Sequence, residues 1–137
     1  MNILRILTSA RIKGNAGEKA AARYLKKKKY KILSRNYVAK NKEIDIIAEN
    51  KDTVVFVEVK ARTENVVVRG EPRPASAVTP DKQRSIIRTA KYYIATQKIN
   101  KRISFDVIEV FLDGTKKAVK INHLENTFNL NSANRRH

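Results

Sequence analysis

The spacing of apolar residues along the chain switches between a helical period and a strand period. Ala21, Tyr24 and Leu25 form a helical stripe. Asn15, with Glu18 three residues later, approximates a capping box and predicts that this helix starts at Asn15. Lys26 to Lys29 supply the positive charge favoured at a helix carboxyl end. Tyr30 to Val38 reads as a strand and is followed by polar Ala39 to Lys42. Glu43 to Glu49 reads as a second strand, with Ile44 and Ile46 alternating against Asp45 and Ile47. Thr53 to Arg62 is the strongest β signal, carrying Val54, Val55, Phe56, Val57 and Val59. Ala61 to Thr79 reads as a long loop containing Gly70, Pro72 and Pro74, of a length that tends to be functional or mobile.

Thr79-Pro80 opens a second helix, with Thr as cap and Pro at the first helical position. Ile86, Ile87, Ala90, Tyr93, Ile94 and Gln97 continue it at helical spacing. Ile103 to Leu112 is a further strand, Asp113-Gly114 a hairpin turn, and Lys117 to Leu124 its partner. The polar tail from Asn126 is expected to fray. This order predicts an α/β fold with a single mixed β-sheet of about five strands flanked by helices. No repeat or boundary interrupts it, so residues 1–137 are expected to form one domain with its core at about 14–125.

Charge changes the picture more than size does. At 42% hydrophobic residues the chain can bury a core, yet 30 Lys+Arg against 13 Asp+Glu give a net charge of +17. Self-repulsion on that scale opposes compaction, so such a surface points to a polyanionic partner, with DNA or RNA foremost. A membrane surface is the rival, but no basic amphipathic helix with bulky apolar anchors is present. Ile3-Leu4-Arg5-Ile6-Leu7 is too short and too interrupted for a signal peptide, and no apolar run nears the ~20 residues of a membrane span. A cytoplasmic location is the expectation. The chain has no cysteine, which removes disulfides, thiolate nucleophiles and cysteine-ligated metals. His123 and His137 have no metal-ligand spacing, so any ion is expected to be hard and oxygen-bound, Mg2+ or Mn2+.

Candidate chemistry sits around the turn at Asn50-Lys51-Asp52. If that turn is centred between Lys51 and Asp52, Asp45 and Glu58 stand equidistant from it and face each other. Directly opposed residues lie ~5 Å apart at Cβ, and like charges so placed repel. A divalent cation between them would remove the repulsion. Strand alternation adds Lys60 to the face of Glu58 and leaves a backbone carbonyl at Val59 as a further ligand. Phosphodiester hydrolysis needs such a patch: a metal to polarise a phosphoryl oxygen and acidify a water, and an ammonium to stabilise developing charge. Acid-x-Lys alone is weak, since Glu49-Asn50-Lys51 repeats it in a polar turn. Spacing leaves both a catalytic site and a surface salt-bridge ladder open.

Taken together, these residues resemble the PD-(D/E)xK nuclease superfamily and, more narrowly, the YraN-like family related to archaeal Holliday-junction resolvases. The matching segments are Gly14-Asn15-Ala16-Gly17-Glu18, Ile32-Leu33-Ser34-Arg35-Asn36, Glu43-Ile44-Asp45-Ile46-Ile47-Ala48 and Val55 to Arg62. Ala77-Val78 with Lys82, and Phe105-Asp106-Val107, complete the set. The resemblance implies a restriction-endonuclease-like fold, with Asp45, Glu58 and Lys60 at the metal and lysine positions and Glu18 joining them from the first helix. From the residues alone, Glu18 reads as a helix-capping residue. Lys42 stands where the family usually has Gly, and Ile87 breaks the Q-x-x-x-Y pattern that would start at Gln83.

Arg62, Arg69 and Arg73 flank the acids in sequence and suit bidentate phosphate contacts. Lys82 and Arg84 place charge beside the N-terminal amides of the second helix, which already favour phosphate. Of the adjacent Tyr92 and Tyr93, one is expected to pack and the other to face solvent. The leading expectation is a metal-dependent, structure-selective endonuclease acting on DNA, branched DNA included. The alternative is a nucleic-acid-binding module with the nuclease fold and little activity. Resolution by two symmetric cuts would require a homodimer.

Overall fold

The elements follow the order read from the sequence: α1 (Ile3–Lys27), β1 (Lys31–Ala39), β2 (Lys42–Glu49), β3 (Thr53–Thr63), α2 (Pro80–Thr96), β4 (Arg102–Leu112) and β5 (Ala118–Phe128). The computed structural model describes residues 3–63 and 78–131, with side chains from residue 15 onward. The strands form one five-stranded sheet in the order β1-β2-β3-β4-β5. β3 and β4 are parallel, joined through α2, and the other neighbouring pairs are antiparallel. This mixed α/β sheet is consistent with a restriction-endonuclease-like fold.

Each helix covers one face. Ala21 and Leu25 of α1 pack on Ile46, Val55, Val57, Ile108 and Val110, whereas Ile86, Ile87 and Ala90 of α2 pack on Ile47, Val54, Phe56, Phe105 and Val107. The doubly covered central strands explain why β3 and β4 read as near-continuous apolar runs. Thr79 caps α2 as expected, its hydroxyl accepting from the Lys82 amide at 3.1 Å.

Two local expectations are corrected. The first helix begins near Ile3, so Asn15 lies inside it and caps nothing. An interior Asn or Gly costs a helix at most about 1 kcal/mol, and Gly17 is needed for packing. A Cβ at Gly17 would lie 2.8 Å from the Ala61 Cβ, so α1 crosses β3 at nearly backbone contact. The polar residues between β1 and β2 form a tight turn: Lys40 and Asn41, both at positive φ, link the paired Ala39 and Lys42. The tail does not fray at Asn126, because Phe128 stacks on Phe105 with ring centroids 4.9 Å apart and extends β5. Residues 64–77, with Arg69 and Arg73, lie outside the described residues.

The crossing at Gly17 yields a stability prediction. Alanine would gain helix propensity yet clash with the Ala61 methyl, and overpacking costs typically 1–3 kcal/mol. Urea denaturation of Gly17→Ala should therefore show a net loss of stability. A stabilised variant would show that α1 and β3 are not in close contact.

Candidate metal and phosphate site

β2 and β3 pair in the register inferred from the turn, from Ile46↔Val57 to Glu49↔Val54. Beyond that ladder, strand alternation breaks. Ile44 belongs to the cluster under α2 and Ile46 to the one under α1, so the intervening Asp45 is turned toward the strand edge. There its Oδ2 accepts the Val59 amide at 2.8 Å, replacing the carbonyl that a continued ladder would supply. In an extended strand the N–H and C=O of one residue face the same neighbour, so the Val59 carbonyl shares this edge with Asp45.

α1 brings in Glu18, next to the crossing at Gly17. Carboxylate oxygens of Glu18, Glu43 and Asp45 lie within 4.8 Å of one another. Asn36, in the left-handed region that Asn tolerates, directs its amide nitrogen to Glu43 Oε1 at 2.7 Å and Glu18 Oε2 at 3.0 Å when the amide is oriented to suit the acids. Arg35 lies 3.9 Å from Glu18. Glu43, Asn36 and Arg35 were not singled out from the sequence as site residues. Their signal was two polar stretches on the adjacent strands β1 and β2, where Arg35 stands opposite Ile46 and Val38 opposite Glu43.

Glu58 and Lys60 project from β3 on the α2 side, with Lys60 Nζ 3.7 Å from Glu58 Oε1. In the parallel register Lys60 stands opposite Glu109. Glu109, however, is ion-paired to Arg62 and buried. Arg62 therefore neutralises an internal carboxylate and leaves Lys60 to Glu58. Lys82 acts on both Asp45 and Glu58, so it belongs with the acids as much as with any phosphate. Arg84 is bonded to Asp81 in the first turn of α2.

The acids outweigh these cations. Burial first, then the charge of Asp45, pushes Glu58 up to about 7 against the opposing pull of Lys82 and Lys60. Glu18 also rises to about 7, through burial and then the charges of Asp45 and Glu43, with Arg35 opposing. Burial raises Asp45 as well, partly offset by the Val59 amide and Lys82. Such a set suits a hard divalent cation: its donors are all oxygens, clustered and short of positive charge.

A pH dependence follows. Glu18 and Glu58 hold their protons to about 7 when folded but only to their ordinary 4.5 when unfolded. Their contribution to stability is complete below the unfolded value and is lost as pH rises through about 7. The melting temperature of the metal-free protein should thus fall from about pH 5 to about pH 8, and manganese should abolish the fall. A flat metal-free profile, or the same fall with manganese present, would contradict the assignment.

A second cluster is structural in character. Asp106, His123 and Glu125 also offer oxygens and nitrogens within 4.8 Å of one another. Both Asp106 oxygens are already engaged, Oδ2 by His123 Nε2 at 2.7 Å, and Oδ1 by Ser104 and the Asn126 amide. The other ring nitrogen of His123 lies 3.1 Å from the Tyr24 hydroxyl, so this set ties α1, β4 and β5 together.

Residues 17–110, which carry Glu18, Asp45, Glu58 and Lys60, match the family described as "Uncharacterised protein family UPF0102". A UPF0102 protein of Clostridium acetobutylicum is 46% identical over 118 residues, spanning 85% of this chain and 93% of that protein. One of Caldanaerobacter subterraneus subsp. tengcongensis is 46% identical over 117 residues, with 84% and 93% covered. Another, of Clostridioides difficile, is 44% identical over 117 residues, with 85% and 96% covered. The fold, the matched segment and these relatives agree, and the chain belongs to the UPF0102 family, also called the YraN family.

Proposed function

We propose that this protein is a metal-dependent phosphodiester hydrolase acting on DNA, a structure-selective endonuclease of Holliday-junction-resolvase type. The observation that carries this reading is the convergence of Glu18 from α1, Asp45 from β2, and Glu58 with Lys60 from β3 at one end of the sheet. A surface salt-bridge ladder would pair Asp45 with a lysine. Instead Asp45 is locked to a backbone amide and clustered with the carboxylates of Glu18 and Glu43.

Mg2+ or Mn2+ would be held by Asp45, Glu58 and the Val59 carbonyl, with Glu18 and Glu43 alongside. When bound, the ion would polarise a phosphoryl oxygen and render a neighbouring water more acidic. The protein's own groups supply the rest. The Val59 amide fixes the Asp45 carboxylate in one orientation. Lys60, held beside Glu58, places an ammonium where negative charge develops on the phosphate. Glu18, protonated up to about 7, can exchange a proton with water near Asp45 at neutral pH. The net charge of +17 draws a polyanion to the protein as a whole.

A screen of branched, duplex and single-stranded DNA, with RNA counterparts, in magnesium, manganese or EDTA tests this. Metal-dependent cutting of at least one substrate class is expected. Tight binding without cutting in either metal would make the protein a nucleic-acid-binding module on a nuclease fold.

A further inference from the structure

α2 and the tight β1–β2 turn bound an open cleft of about 850 Å³. Its lining presents Lys40, Lys42, Arg84, Arg88, Lys91 and Tyr92. Among the described residues Asp81 is the acid that lines it, and Asp81 is bonded to Arg84. Lys40, Lys42, Arg88 and Lys91 are exposed, so the cleft carries a large positive excess.

Arg84, Arg88 and Lys91 recur at i, i+4 and i+7 and so share one side of α2. Like charges four residues apart repel and weaken a helix, and an anionic ligand lying along the row removes the penalty. The row rises about 6 Å per i to i+4 step, similar to the separation of successive phosphates in an extended strand.

The two tyrosines of α2 divide their roles. Tyr93 packs inward, edge-on to Tyr37 and Phe56. Tyr92 is 46% exposed and lines the cleft, with Lys40 Nζ 5.8 Å from its ring centroid. An exposed aromatic ring among cations is what an unpaired base needs, since every base offers a stacking face. A lipid surface would require bulky apolar anchors, and apart from Tyr92 the cleft offers only Ala39 among the described residues.

In sequence the cleft residues run directly into the acid site. Lys42 lines it while the next residue, Glu43, belongs to the acid cluster. Asp81 lines it while the next residue, Lys82, acts on Asp45 and Glu58.

We infer that this cleft binds an unpaired segment of nucleic acid, with phosphates along Arg88, Lys91, Lys40 and Lys42 and a base stacked on Tyr92, beside the acid cluster. The inference rests on the nuclease reading and narrows it to substrates that carry an unpaired segment.

Binding of the full chain in EDTA, by fluorescence anisotropy, separates the possibilities. The probes are a blunt DNA duplex and the same duplex with a single-stranded tail. Tyr92→Ala should weaken tailed-duplex binding roughly tenfold and blunt-duplex binding by less than about twofold, while Tyr92→Phe keeps wild-type affinity. The triple change Lys40→Gln, Arg88→Gln, Lys91→Gln should lower the salt dependence of tailed-duplex binding by a log–log slope of about 2–3. Equal losses on both probes with Tyr92→Ala, or no loss with the triple variant, would overturn the inference. So would a triple variant that loses only affinity for phosphatidylglycerol vesicles. If wild-type protein cuts DNA while the cleft variants bind tailed duplex normally, the cleft inference fails and the nuclease reading stands. If the cleft variants weaken tailed binding but no substrate is ever cut, the reverse holds.

Discussion

Single-turnover cleavage by Lys60→Met should be slower than wild type by roughly two to three orders of magnitude, with DNA affinity nearly unchanged. The ammonium of Lys60 is half-buried beside Glu58, and Arg62 keeps Glu109 from competing for it. Its charge is thus held at the end of β3, where a scissile phosphate would meet the acids. Removing it takes away a stabiliser of the transition state but only one positive charge among 30 Lys+Arg. Manganese affinity should hold or rise, because a cation leaves the neighbourhood of the acids. Equal cleavage by variant and wild type would exclude Lys60 from the chemistry.

The largest stability effect is expected away from that site. Asp106 is 1% exposed and accepts hydrogen bonds from His123, the Ser104 hydroxyl and the Asn126 amide. Asp106→Ala strips all three of their acceptor at once. Leaving a buried donor without its acceptor costs about 1–3 kcal/mol, a large fraction of a small domain's total stability. Urea denaturation should show a loss of that size, with β5 and the Tyr24 end of α1 loosened together. A loss below about 1 kcal/mol would mean that the network contributes little beyond its packing.

Much of the fold was legible because hydrophobic period and turn chemistry agree over long stretches. Thr79-Pro80 announces α2, and the valine-rich run announces β3. The register of β2 on β3 was legible too, because a short polar turn leaves little choice of pairing. What could not be read was where tertiary contacts override local preference. The Asn15 to Glu18 stretch looks like a helix start, yet Gly17 is there to let α1 approach Ala61. Spacing sets Asp45 directly across from Glu58, but the paired register ends at Ile46 and Val57 and the break in alternation turns Asp45 to the Val59 amide. That break has no signature in spacing. Arg62 reads from the sequence as a candidate phosphate contact, and only the folded structure shows its ion pair with Glu109. Glu109 and Asp106 were the usable hint, since acids within an apolar strand demand partners.

Hydrolysis at this site requires that the acids of α1, β2 and β3 bind a divalent cation. Calorimetric titration of manganese into wild type, Asp45→Asn and Glu58→Gln, with circular dichroism to confirm folding, tests it most directly. Wild type should bind manganese with an affinity that rises with pH through about 7, as Glu18 and Glu58 give up their protons. Both variants should stay folded and bind markedly more weakly. Folded variants that take up manganese as wild type does would contradict the assignment of the site.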